Sequence, residues 1–163
     1  MELTLPLRTA RVRPLTVDDA AMLQALLVRC AAYFRGADGR APGKHAAIER
    51  IADALGDAQV KLSGIFREDA LVGFMELRLD EPRAHEATIV LLLIDPAERR
   101  KGLGREIVES LATSLAKSKL RAINLGVQDH ERGACEFWMA QGFVEEGRDA
   151  GVTRLVRLLT QRK

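Results

Sequence analysis

The chain lacks most of what would announce a special environment. It has two cysteines, Cys30 and Cys135, in 163 residues. Neither belongs to a CxxC pair, and His45, His85 and His130 are scattered, so no metal site is expected. Two unpaired cysteines fit a reducing compartment, and a cytoplasmic location is the expectation. No apolar run approaches the roughly 20 residues of a membrane span. Met1 to Leu7 contains Glu2 and Pro6 and lacks the apolar core of a signal peptide. Charge is nearly balanced, 25 basic side chains against 23 acidic. With no basic tail, neither nucleic acid nor a membrane is expected as a partner. There is no internal repeat and no low-complexity segment. The simplest organisation is one domain over residues 1–163, large enough to bury its own core.

What is present is a clear alternation of elements. Ala10 to Pro14 reads as a first strand. Thr16 then caps a helix whose buried stripe is Leu23, Leu27, Cys30 or Ala31, and Phe34. Gly36 to Gly43 reads as a loop. A second helix follows, with Ile48, Ile51, Ala52 and Leu55 on one face and Gly56 ending it. Val60 to Phe66 and Leu71 to Leu79 form a hairpin across Arg67–Ala70. Glu76, Arg78 and Asp80 alternate with Met75, Leu77 and Leu79, which predicts a half-buried strand. Ala87 to Ile94 is apolar on both faces and reads as a central strand covered on both. Leu103 to Lys117 is an amphipathic helix, Ala122 to Val127 a strand, and Arg132 to Gln141 a short helix. Phe143 to Glu145 and Val152 to Leu159 read as a final strand pair. Hairpins combined with a strand–helix–strand unit predict an α/β (α+β) domain, a central mixed sheet flanked by helices. The expected order is β-α-α-β-β-β-α-β-α-β-β.

The organising stretch is Arg99-Arg100-Lys101-Gly102-Leu103-Gly104. It follows the central strand and Asp95-Pro96 and opens a helix. A helix start offers free N–H groups and the positive end of the dipole to an anion. Arg99, Arg100, Lys101 and Arg105 add charge. A P-loop needs lysine and a hydroxyl residue after its last glycine, and Arg105-Glu106 stand there instead. A dinucleotide fingerprint needs glycine or alanine where Ile107 stands.

Arg99-x-x-Gly102-x-Gly104 after an apolar strand resembles the acyl-CoA turn of the GNAT N-acetyltransferases. Ala134 to Phe143, with Phe137-Trp138 and then Gly142-Phe143, resembles that family's C-terminal helix. The order of elements fits over about residues 10–159. The resemblance implies the GNAT acyl-CoA N-acyltransferase fold. It implies a direct transfer from acetyl-CoA to a primary amine of a small molecule or protein. The pantetheine arm would pair with Leu92, Leu93 and Ile94, and the pyrophosphate with the turn from Arg99 through Gly102, Leu103 and Gly104. The implied partners are acetyl-CoA and an amine acceptor, without a metal, and a homodimer is compatible with them. Acceptor recognition would fall to Tyr33 through His45.

The amine must lose a proton to attack, and Glu86 and Glu76 are the candidate bases. Pairing register, and so whether they share a face, is not readable from sequence. A backbone N–H near Leu92 or Leu93 is the implied oxyanion donor. The family often has tyrosine where this chain has Trp138. Indole donates a hydrogen bond but gives up no proton near neutral pH, so Trp138 can line the acyl site without serving as an acid. Glu131 stands where asparagine is common and is expected to turn away from CoA phosphates. The missing tyrosine leaves a second reading open, a non-catalytic acyl-CoA-binding module on the same fold.

Overall fold

The computed structural model describes residues 2–131 and 133–160. Its strands are β1 (Leu5–Pro6), β2 (Arg11–Pro14), β3 (Val60–Arg67), β4 (Ala70–Leu79), β5 (Glu86–Ile94), β6 (Ala122–Gln128), β7 (Val144–Asp149) and β8 (Val152–Leu158). Its helices are α1 (Ala20–Arg29), α2 (Ala31–Asp38), α3 (Ala46–Leu55), α4 (Leu103–Lys117) and α5 (Ala134–Ala140). The strands form one sheet in the order β1-β2-β3-β4-β5-β6-β8-β7. Every pairing is antiparallel except β5 with β6. No helix among the described residues is long and apolar enough to cross a membrane.

The expected mixed sheet is present, with several differences of detail. A short strand, β1, precedes the expected first one. The first helix breaks at Cys30 into α1 and α2, yet Leu23, Leu27, Cys30 and Phe34 are all buried as the stripe requires. Helix α2 takes up the first three residues of the expected loop, Gly36 to Asp38. On α3 the buried positions are Ala47 and Ile51, whereas Ile48 and Leu55 are exposed. Arg132, the expected start of the last helix, lies outside the described residues. The last strand pair is β7 and β8, and β8 inserts between β6 and β7.

Two apolar layers cover the sheet. On one face, Leu23, Leu27, Phe34 and Ile51 from the first three helices pack on Phe66, Phe74 and Leu93. On the other, Ile107, Leu111 and Leu115 of α4 pack with Trp138 and Phe143 on Met75, Ile89 and Ile123.

Strand β4 is buried from Leu71 to Leu77. Glu76, predicted on a solvent face, is buried under α3. Strand β5 is also not covered as expected. Ile89 faces Leu77 and Leu91 faces Glu76, so Val90 is an extra residue at a bulge, 46% exposed. A bulge bends its strand. Beside it, β5 and β6 pair only from Glu86–Ala122 to Thr88–Asn124. Strand β5 continues to Ile94 and β6 to Gln128 without pairing further. The sheet is open between them.

Candidate active site

The opening leads into a cavity of about 910 Å³. Leu92, Leu93 and Ile94 line it along their edge toward β6, while their other edge pairs with Met75, Phe74 and Gly73. The backbone groups on the open edge are available to an extended ligand. Leu92 and Ile94 pack toward the α4–α5 face and Leu93 toward the helices of the other face. Trp138 comes from the first side and Tyr33 from the second, and both reach the cavity. The cavity therefore connects the two faces of the sheet through the opening.

Its other end is the turn. Arg100 and Gly102 have left-handed backbone, φ 61° and 80°. Such turns gather N–H groups into an anion-binding concavity. Gly102 is the N-cap of α4, and no side chain caps the helix. The first amides of α4 are left for a ligand. Gly104 has a different reason to be glycine. A Cβ there would lie 3.2 Å from Phe137 Cζ and 3.4 Å from Ile94 Cδ1. Its bareness lets α4 sit close to α5 at the cavity wall.

The basic residues of the turn divide. Arg99 folds back and donates from Nε to the Ile94 carbonyl at 3.0 Å. Lys101 pairs with Glu98 at 3.7 Å and does not line the cavity. Arg100 and Arg105 line it and form no ion pair among the described residues. The strand end is braced by Asp95, which receives Arg29 Nε at 2.6 Å and the Ala97 amide at 3.0 Å. Burial opposes the charge on Asp95, but these donors outweigh it and its carboxyl titrates below the ordinary range.

Trp138 is buried and edge-on to both Phe137 and Phe143, with centroids 5.0 and 5.2 Å away. It is core and cavity wall at once. Glu131 also lines the cavity, contrary to the expectation that it turns away. Burial pushes its carboxyl up, against the pull of His130.

Register places the two candidate bases. Thr88 faces Arg78 and Leu91 faces Glu76, so Glu76 and Glu86 share the α1–α3 face. They are separated by about four residues of strand, roughly 13 Å. Glu86 sits at the far end of β5 and does not line the cavity. It accepts from Arg83 Nε and from Asn124 Nδ2, each at 2.9 Å. Arg83 and Asn124 together outweigh burial and hold it below the usual carboxylate range. Arg78 forms no ion pair with Glu86 and lies 3.8 Å from Glu76 instead. Glu76 accepts from Arg50 Nη1 at 2.8 Å. With Arg50 and Arg78 it borders a second cavity of about 650 Å³, where Glu49, Asp53 and Asp57 also stand. Glu76 faces Leu91, next to the strand edge that lines the first cavity. Arg50 is 26 residues away in sequence, and no sequence signal joins it to Glu76.

A split parallel pair, a bare helix start with free arginines and a cavity through the sheet leave room for an extended, phosphate-bearing ligand. The model of the acetyltransferase (GNAT) family matches residues 24–143, and the chain belongs to that family. Among solved structures, an acetyltransferase from Thermus thermophilus is 28% identical with a TM-score of 0.85, over 96% of this chain and 100% of that one. The PaiA N-acetyltransferase of Thermoplasma acidophilum, solved with coenzyme A, is 18% identical with a TM-score of 0.73, over 91% and 98%. The ribosomal-protein-S18-alanine N-acetyltransferase of Escherichia coli is 17% identical with a TM-score of 0.72, over 94% and 96%. Among the described residues, no group of His, Cys, Asp or Glu is arranged to hold a metal ion.

Proposed function

We propose that this chain moves an acetyl group from acetyl-CoA to a primary amine, by direct attack in a ternary complex. The observation that carries the proposal is the continuity of one cavity from the uncapped turn to the unpaired edge of Leu92–Ile94. Pyrophosphate would lie against the amides from Gly102 to Gly104, with Arg100 and Arg105 beside it. The pantetheine amides would pair with the open edge of β5. This brings the thioester to the opening, where an N–H near Leu92 or Leu93 meets the carbonyl oxygen as charge builds on it. Acetyl-CoA supplies the activated acyl group.

The amine approaches from the α1–α3 face, through the cavity bordered by Glu76. Glu76 takes its proton, directly or through one water. Four carboxylates, Glu49, Asp53, Asp57 and Glu76, stand there against two guanidiniums, Arg50 and Arg78. That balance favours a cationic acceptor. Glu86, held by Arg83 and Asn124, anchors the outer end of the same polar row. Trp138 packs beside the acyl end of the donor.

One of the similar structures is of a ribosomal-protein acetyltransferase, which supports a protein amino group among the acceptors to be tried. The two free cysteines agree with a reducing cytoplasm. The test is release of CoA thiol when acetyl-CoA is mixed with diamines, amino acids and peptides bearing free N-termini. Thiol release with at least one amine is expected. A rise in melting temperature with acetyl-CoA but no amine-dependent release would assign the chain to non-catalytic acyl-CoA binding. At a ligand concentration 100 times Kd the stabilisation is about 2.7 kcal/mol, readily seen. No shift with CoA or acetyl-CoA would defeat both readings.

A further inference from the structure

The α5 residues that line the cavity, Ala134, Phe137 and Trp138, offer the departing sulfur no proton. The chain has one tyrosine, and it stands across the same cavity. Tyr33 is the third residue of α2, half-buried, with its ring edge-on to Phe34 at 5.3 Å and 87°. No described residue hydrogen-bonds to its hydroxyl. It packs with the α1–α3 layer, whereas Trp138 belongs to the opposite layer. Tyr33 thus meets the cavity where it emerges on the side of Glu76 and Arg50.

We propose that Tyr33 is the proton donor to the departing CoA sulfur, the role that the cavity-lining residues of α5 cannot fill in this chain. The inference rests on the acetyl-transfer reading above. The amine nitrogen bonds to the thioester carbonyl carbon and yields one proton to Glu76 or water. The C–S bond breaks, and its electron pair stays on sulfur. Sulfur takes the phenolic proton and leaves as CoA thiol, and the phenolate regains a proton from solvent.

The surroundings keep the phenol protonated until it is needed. Burial pushes its pKa up, Glu131 and Asp38 push the same way, and Arg50 opposes them. His130 lies against Gly36, nearly one turn further along α2. The phenol meets Glu131 from the β6–α5 connection, Asp38 from its own helix and Arg50 from α3.

Two binding measurements need no acceptor. Calorimetry compares CoA with desulfo-CoA, which lacks the sulfur, above the ordinary thiol pKa of about 8.5. The unmodified protein should hold CoA about tenfold more tightly, the effect of one hydrogen bond to a charged sulfur. Tyr33→Phe, which keeps the ring contact with Phe34, should bind the two equally. Ultraviolet difference spectra of the unmodified protein, with the signal of Tyr33→Phe subtracted to remove Trp138, isolate the band of Tyr33. CoA should shift that band and desulfo-CoA should leave it. Once an accepting amine is in hand, Tyr33→Phe should lower kcat about a hundredfold with KM for acetyl-CoA unchanged. Equal affinity of the unmodified protein for the two ligands, or a tyrosine band blind to the sulfur, overturns the proposal. Amine-dependent thiol release alongside that result would leave acetyl transfer standing. Loss of all CoA binding would remove both.

Discussion

Asn124 faces Thr88 in the last paired row of β5 and β6, and its Nδ2 donates to Glu86 Oε2 at 2.9 Å. Beyond that row the sheet opens. Asn124 Oδ1 is buried and has no partner among the described residues. The fork is therefore pinned on one side only, by an amide holding a carboxylate.

Asn124→Asp sets two carboxylates together at that pin. The donor is lost and like charges meet, so the variant should be less stable at pH 7 by about 1–3 kcal/mol. Protonation relieves the clash, and the gap from the unmodified protein should narrow as pH falls below about 5. Melting curves at pH 7 and pH 4.5 check it; a constant gap would refute the assignment.

The two glycines of the turn should respond differently. Gly102→Ala keeps open space around its Cβ but forces a left-handed alanine, costing about 1 kcal/mol of stability. Gly104→Asp drives a side chain against Phe137 and Ile94 and adds negative charge at the cavity wall. CoA affinity should fall at least about tenfold in the second and little in the first. Calorimetric Kd values decide, with unchanged affinity in Gly104→Asp counting against the turn as the anion site.

Arg100 and Arg105 carry the free positive charge of the cavity rim. Arg100→Glu and Arg105→Glu should each weaken CoA binding about tenfold at low salt, with the loss shrinking as ionic strength rises. Acetyl-pantetheine, which has no pyrophosphate, should be indifferent to both. Equal losses for the two donors would show that the arginines act on the fold instead.

Glu76→Gln keeps the shape of the side chain and removes its charge. As the base it should lower kcat about a hundredfold or more, with the Kd for CoA unchanged. A full kcat in a folded variant would return the proton to solvent.

Away from the site, Arg13 grips Asp19 with two hydrogen bonds of 2.8 and 2.9 Å and ties β2 to the start of α1. That guanidinium lowers the Asp19 pKa from 3.8 to about 2, against the opposing effect of burial. A depressed carboxylate stabilises the fold above its unfolded pKa, and the stabilisation fades as pH falls through the folded value. The contribution at neutral pH is on the order of 2 kcal/mol. Asp19→Asn should therefore melt lower at pH 7, with the difference closing between about pH 4 and pH 2.

Much of this architecture is local and so legible in one dimension. Periodicity marks α4 through Leu103, Ile107, Leu111 and Leu115, all buried as the pattern requires. Turn chemistry marks the hairpin of β3 and β4. The glycine pair and the basic run mark the proposed anion site, because a phosphate cradle is built from consecutive backbone amides. Glu76 reads as solvent-facing because alternation reports polarity, and an ion pair with Arg50 makes a buried carboxylate tolerable. Glu131 reads as turned away because its burial has no local signature.

By itself, then, the sequence determined most of the elements, the turn and the family, since each rests on residues a few positions apart. The tertiary structure alone decided which neighbours those elements meet. It put Val90 at a bulge, parted β5 from β6 after Thr88 and Asn124, and brought Tyr33, Trp138 and the turn to one cavity. It also divided the basic cluster, folding Arg99 onto Ile94 and leaving Arg100 and Arg105 free. The reason is physical: strand register, helix axis and charge pairing are settled by packing between segments distant in the chain, and no local pattern encodes them.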